Sequence, residues 1–199
     1  MSVMTQTDAI PITLDIYPFK LTDETFYEFC QRNQEYRFEM NAEGKIIVMP
    51  PTFLEISRKN NRINFRLTAW ADQDQTGEVF ESDGMFTLPN GAKRAPDAFW
   101  ITKERYFALP EKEREQRFAR IVPDFVIELR SKTDSVERLR EKMTEYIENG
   151  VRLGWLIDPY ERKVHIYRAN GEVEILENAD KVSGEDVLNG FELDLAEII

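Results

Sequence analysis

Residues 122–134 read VPDFVIELRSKTD, and no stretch of the chain constrains the fold more. Pro123 punctuates its start, and Phe125, Val126, Ile127 and Leu129 form the apolar, partly β-branched run of a core strand. Side chains alternate along an extended chain, so Phe125, Ile127 and Leu129 share one face while Val126, Glu128 and Arg130 share the other. A core strand with a carboxylate and a guanidinium on one face needs partners for both.

The segments around it supply a pattern. Residues 22–34 predict a helix with Thr22 or Asp23 as N-cap and Phe26, Phe29 and Cys30 on one stripe. YRFEMNAEGKIIVMPP predicts two strands around a turn at NAEG, stopped by Pro50 and Pro51. Ile56, Ile63, Leu67 and Trp70 mark a helix over 54–72. Short strands separated by SDG and PNGAK follow to residue 102, and residues 103–120 read as an exposed charged loop with helical turns. In TDSVERLREKMTEYIENG, Asp134 and Glu137 resemble a capping box, and Val136, Leu139, Met143, Tyr146 and Ile147 form one stripe ended by Gly150. RLGWLIDP, KVHIYR and residues 172–176 are the last strands. The 199 residues then predict one domain of α/β or α+β class, a mixed central sheet flanked by helices, with 1–20 an extended arm and 177–199 an acidic tail.

Charge and cysteine content exclude several functions. Net charge is −11, yet residues 171–199 hold most of it, and the best basic surface is the helix segment with Arg58, Lys59, Arg62 and Arg66 beside Asn60, Asn61 and Asn64. Those residues suit phosphate or base contacts, or else a solvated face. Cys30 alone permits neither a disulfide nor a cysteine zinc site, and His165, the only histidine, cannot build a triad. No run of about 18 apolar residues exists, and the N-terminus lacks the pattern of a secretory signal, so a cytoplasmic location is expected.

Two acids borne at strands stand out, Asp97 in RAPDAFWIT and Glu128. On neighbouring strands they would converge at one sheet face, and magnesium needs only one or two protein carboxylates besides water and substrate phosphate. Arg130, Lys132 and Lys142 are the nearby cations. At 100° per residue Lys142 falls beside the Leu139–Tyr146 edge of its helix, so its stem can cover core while its ammonium reaches the sheet. The plainer readings are an ion pair for Glu128, a turn cap for Asp97 and a snorkelling lysine at 142.

PPTFLEISRKNNRINFRL, RAPDAFW, PDFVIELRSKTDS and EKMTEYIENGVRLGWLIDP together resemble the Uma-two family of candidate restriction endonucleases, in the PD-(D/E)XK nuclease superfamily. The resemblance spans about residues 20–199. It implies a restriction-endonuclease-like fold, hydrolysis of DNA phosphodiesters, Mg²⁺ or Mn²⁺ as cofactor, and a homodimer, whose interface the apolar strands near Trp100 or Trp155 are expected to supply. The superfamily's PD acid falls on Asp97 and its second acid on Glu128. Arg130 stands where its lysine ordinarily follows, and Lys142, from the next helix, is the expected substitute. Glu55 matches a further acidic ligand in some members, although a first-turn acid is also favoured by the helix dipole. Arg58, Lys59 and Arg62 are then the expected DNA contacts. Two alternatives stay open: a catalytically inactive nuclease-fold binding module, and a structure-specific nuclease acting on RNA or repair intermediates.

Overall fold

In the computed structural model, residues 11–115 and 118–199 are described. The chain runs β1 (Ile12–Leu14), α1 (Asp23–Arg32), β2 (Arg37–Met40), β3 (Ile46–Met49) and α2 (Leu54–Asp74). Next come β4 (Gly77–Glu81), β5 (Phe86–Thr87), β6 (Lys93–Arg94), β7 (Ala98–Thr102), α3 (Lys103–Ala108) and α4 (Glu111–Glu115). It continues through β8 (Phe125–Leu129), α5 (Val136–Glu148), β9 (Leu153–Asp158) and β10 (Lys163–Arg168) to β11 (Val173–Glu177), β12 (Lys181–Ser183) and β13 (Glu192–Asp194).

The fold is the expected α+β arrangement. Its central sheet has six strands in the order β11-β10-β9-β8-β7-β4. Only β8 and β9 pair in parallel, which requires a crossover, and α5 is that crossover. A second, antiparallel sheet has the order β1-β3-β2-β6-β5, and β12 and β13 form a separate pair.

β8 is buried along its whole length, so its two faces belong to two cores. Phe125, Ile127 and Leu129 pack with Ile63 and Leu67 of α2, while Val126 packs with Met143 and Tyr146 of α5. Gly154 on β9 allows the close approach of α5, because a Cβ there would stand 2.5 Å from Met143 Cε. That contact fixes the height of the next residue back, Lys142, above the sheet. A third core of Phe26, Phe38, Met40 and Ile46 lies between α1 and the second sheet, and Cys30 packs against it.

Four expectations change. Residues 12–14 of the proposed arm pair with β3, opposite residues 46–48, while residues 1–10 lie outside the described residues. The acidic C-terminal segment is core: its acids point outward, but Val182, Leu188, Phe191, Leu193, Leu195 and Ile198 pack beneath α2 and the central sheet. Trp100 and Trp155 are buried there too, so neither offers a dimer surface. The N-cap of α5 is Ser135, whose Oγ accepts from the Arg138 amide; Asp134 instead accepts from the Ser131 amide and closes the preceding turn.

Candidate active site

The β7–β8 register, with Ala98 opposite Ile127, brings Asp97 opposite Glu128 one step further along. Asp97 sits at the end of the sheet, held from both sides. Asn60 Nδ2 on α2 donates to its Oδ1 at 2.8 Å, and the Leu129 amide donates to its Oδ2 at 2.8 Å. Asn64 Nδ2 donates to its backbone carbonyl at 3.0 Å. Adjacent turns of α2 thus hold one residue, Asn60 by its carboxylate and Asn64 by its backbone carbonyl.

Glu128 is fixed from α5. Tyr146 Oη donates to its Oε1 at 2.9 Å, and Lys142 Nζ stands 2.8 Å from the same oxygen. Its Oε2 has no hydrogen-bond partner among the described residues. Lys142 also donates to Glu39 Oε1 at 2.8 Å. Glu39, on β2, accepts further from Arg94 at 3.1 Å and from the Ala95 amide at 3.0 Å, and Arg94 reaches Glu145 of α5 at 2.6 Å. All of these groups except Tyr146 line one cavity of about 840 Å³, together with Asp97, bounded by the loops at residues 50–53 and 131–135.

Four buried or half-buried carboxyls share two cations, and the imbalance falls unevenly. Burial pushes the Glu128 carboxyl up, to about 7; Lys142 opposes the rise, and the charges of Asp97 and Glu39 add to it. Burial likewise raises Asp97 against the Leu129 amide and Lys142. For Glu39 burial acts in the same direction, but Lys142 and Arg94 outweigh it and hold the carboxyl low. Burial would lower Lys142, but Glu128 and Glu39 reverse that, so it is an ammonium ion.

The structure brings Asp97, Glu128 and Lys142 together and leaves other named residues apart. Arg130 lies one residue beyond the end of β8 and donates to Asp158 at 2.7 Å, its guanidinium over the Tyr160 ring; it does not line the cavity. The strand alternation that put it on the Glu128 face ends at Leu129. Glu55 is an exposed first-turn acid paired with Arg58 at 2.7 Å, away from the cluster. Arg62 and Arg66 face Glu197, at 3.6 and 2.9 Å, so much of the basic ridge of α2 is neutralised by the C-terminal segment. Lys59 is half-buried and makes no ion pair among the described residues.

Sequence reasoning passed over Glu39, and took Tyr146 only for its ring. The signal for Glu39 was present: a lone acid between Phe38 and Met40 in a strand, the pattern that singled out Glu128.

The donor set suits a hard divalent cation. Asp97 and Glu128 are carboxyls that burial raises, for Glu128 with the charges of Asp97 and Glu39 adding to the rise; one Glu128 oxygen has no partner among the described residues, and Asn60 Oδ1, beside Asp97, is buried without one. Among the described residues no three His, Cys, Asp or Glu side chains gather into a metal-binding group, so these two acids would be the protein's share.

Fold and family together define a nuclease-like class. The chain shares its fold with the crystal structure of a putative nuclease belonging to DUF820 from Anabaena variabilis ATCC 29413, at a TM-score of 0.69 and 23% identity over 82% of this chain and 89% of that one. It belongs to the Uma2 family, described as "putative restriction endonuclease", whose model matches residues 23–196. No curated protein matches it.

Proposed function

We propose that this chain is a Mg²⁺- or Mn²⁺-dependent DNA endonuclease of PD-(D/E)XK type, cytoplasmic, hydrolysing phosphodiester bonds with a metal-activated water. The observation that carries this reading is the sharing of Lys142 by Glu128 and Glu39 beside Asp97. It leaves two under-neutralised carboxyls and one fixed ammonium on a single cavity wall.

Asp97 and Glu128 would hold the ion, which when bound supplies a water of lowered pKa and draws charge from phosphate oxygens. Asn60 and the Leu129 amide keep the Asp97 oxygens aimed, and Tyr146 keeps Glu128 from turning toward Lys142 alone. Lys142, held protonated and in place by Glu39, faces the cavity as a fixed positive charge for the developing phosphorane. Glu39 is then a positioning residue. Cutting both strands calls for two such sites, so a homodimer belongs to this reading, with an interface away from Trp100 and Trp155.

The test is nicking of supercoiled plasmid by purified protein with Mg²⁺ or Mn²⁺. Nicking that EDTA abolishes supports the reading; intact plasmid with a folded protein that binds no Mn²⁺ ends it. One observation favours the alternative of an inactive binding module: the residue two after Glu128 is Arg130, and it is engaged with Asp158.

A further inference from the structure

A second concavity of about 740 Å³ opens beside the catalytic cavity and shares Arg37 and Thr52 with it. One wall is a face of α2, where Ser57, Asn60, Asn61, Asn64, Phe65 and Thr68 recur at helical spacing. The other wall is β4 and the turn after it, with Val79, Glu81 and Asp83. The groove begins at the acid cluster, because Asn60 both lines it and holds Asp97.

Its chemistry is wrong for a phosphate track. The α2 wall carries amides and hydroxyls and no charge, the opposite wall adds two acids, and Arg37 is paired with Asp83 at 3.5 Å. A polyanionic backbone gains nothing there. Amides and hydroxyls do match base edges, which present donors and acceptors together. Asn64 Oδ1 is a buried acceptor with no partner among the described residues, which is costly unless a donor arrives. Phe65 adds a ring that is 65% exposed at the groove, a flat apolar face that nothing among the described residues covers.

Shape points the same way. Duplex DNA is read by inserting protein into a groove about 12 Å wide, whereas here the concavity belongs to the protein. Its volume falls in the small-molecule range of roughly 300–1,000 Å³, room for unpaired bases. We propose that this groove binds unpaired nucleobases next to the scissile phosphate, with Phe65 as the stacking platform, so that the enzyme acts on single or splayed strands. The proposal rests on the nuclease reading and supplies its substrate class.

Fluorescence anisotropy of the whole protein, with Ca²⁺ in place of Mg²⁺, tests it on four labelled probes: a single-stranded DNA oligonucleotide, the same strand with abasic sites, a blunt duplex, and single-stranded RNA. The intact DNA strand should bind at least roughly ten-fold tighter than the abasic strand or the duplex, and Phe65→Ala should remove roughly that factor, while Phe65→Trp restores it. Sensitivity of the RNA strand to Phe65→Ala extends the substrate class to RNA; sensitivity of DNA alone restricts it to DNA. Equal affinity for intact and abasic strands, preference for the duplex, or an unaltered affinity in a folded Phe65→Ala protein overturns the proposal. Cleavage of the single-stranded DNA oligonucleotide with Mn²⁺ in parallel separates the two readings. Cleavage without base-dependent binding removes the groove alone, and base-dependent binding without cleavage of that strand removes the nuclease reading.

Discussion

Lys142 Nζ stands 2.8 Å from Glu128 Oε1, a contact from the crossover helix α5 back to the strand that precedes it. If this pair and Asp97 perform the chemistry, Asp97→Ala, Glu128→Ala and Lys142→Met should each lower nicking by roughly 10²-fold or more while circular dichroism stays that of the native protein. Lys142→Met should leave Mn²⁺ binding detectable by calorimetry, and the two acid variants should lose it. A folded Lys142→Met enzyme cutting at the wild-type rate would remove the lysine from the mechanism.

Glu128 also sets a pH dependence. Its folded-state carboxyl is raised above the ordinary 4.5 to about 7, so the metal-free folded protein keeps a proton that the unfolded chain releases. That contribution to stability is complete below about 4.5 and is lost as pH rises through about 7. In EDTA, the wild-type Tm should fall more between pH 5 and pH 8 than that of Glu128→Gln. Mn²⁺, which competes with the same proton, should bind more tightly as pH rises through this window and restore the wild-type Tm at pH 8. Parallel Tm slopes in the two proteins would show that Glu128 does not carry the effect.

Arg130→Ala separates a structural cation from a catalytic one. Arg130 pairs with Asp158, which is 2% exposed and also accepts from the Tyr160 and Glu161 amides. Removing the guanidinium should cost about 2 kcal/mol in urea unfolding, because a buried carboxylate loses its countercharge. Nicking by the fraction that remains folded should stay within about three-fold of wild type. A loss as large as that of Lys142→Met, at unchanged stability, would return Arg130 to the active site.

The C-terminal segment should behave as core. Phe191 stacks on Trp155 with ring centroids 5.9 Å apart and lies 5.4 Å from Trp70. Phe191→Ala should cost about 3–5 kcal/mol in chemical denaturation. A cost under about 1 kcal/mol would mean that this segment is only loosely attached.

What could be read from the sequence was what short-range periodicity controls. The stripes Ile56-Ile63-Leu67 and Met143-Tyr146 located both flanking helices, and alternation located β8 and its acid. Lys142 was legible because a helix angle is predictable from spacing alone. Arg130 was misplaced because alternation holds only while the strand lasts, and the chain leaves it at Leu129. Glu39 carried the same lone-acid signal as Glu128, but its place in the site was hidden because its partners come from other parts of the chain, with Lys142 on α5 and Arg94 on β6. The tail was misread because its acids are as numerous as the buried apolar residues that anchor it, and net charge does not say which side chains point inward.

The contact of Glu197 with Arg62 and Arg66, together with that of Glu55 with Arg58, bears on how this protein would meet a nucleic acid. Affinity for duplex DNA grows by about 0.9 logarithmic units per phosphate neutralised for each ten-fold dilution of salt, because each contact releases condensed counterions. With two carboxylates set against three arginines, this ridge releases fewer counterions than its basic residues would suggest. The chain would therefore lose affinity with rising ionic strength less steeply than a DNA-binding protein whose cations stand unpaired.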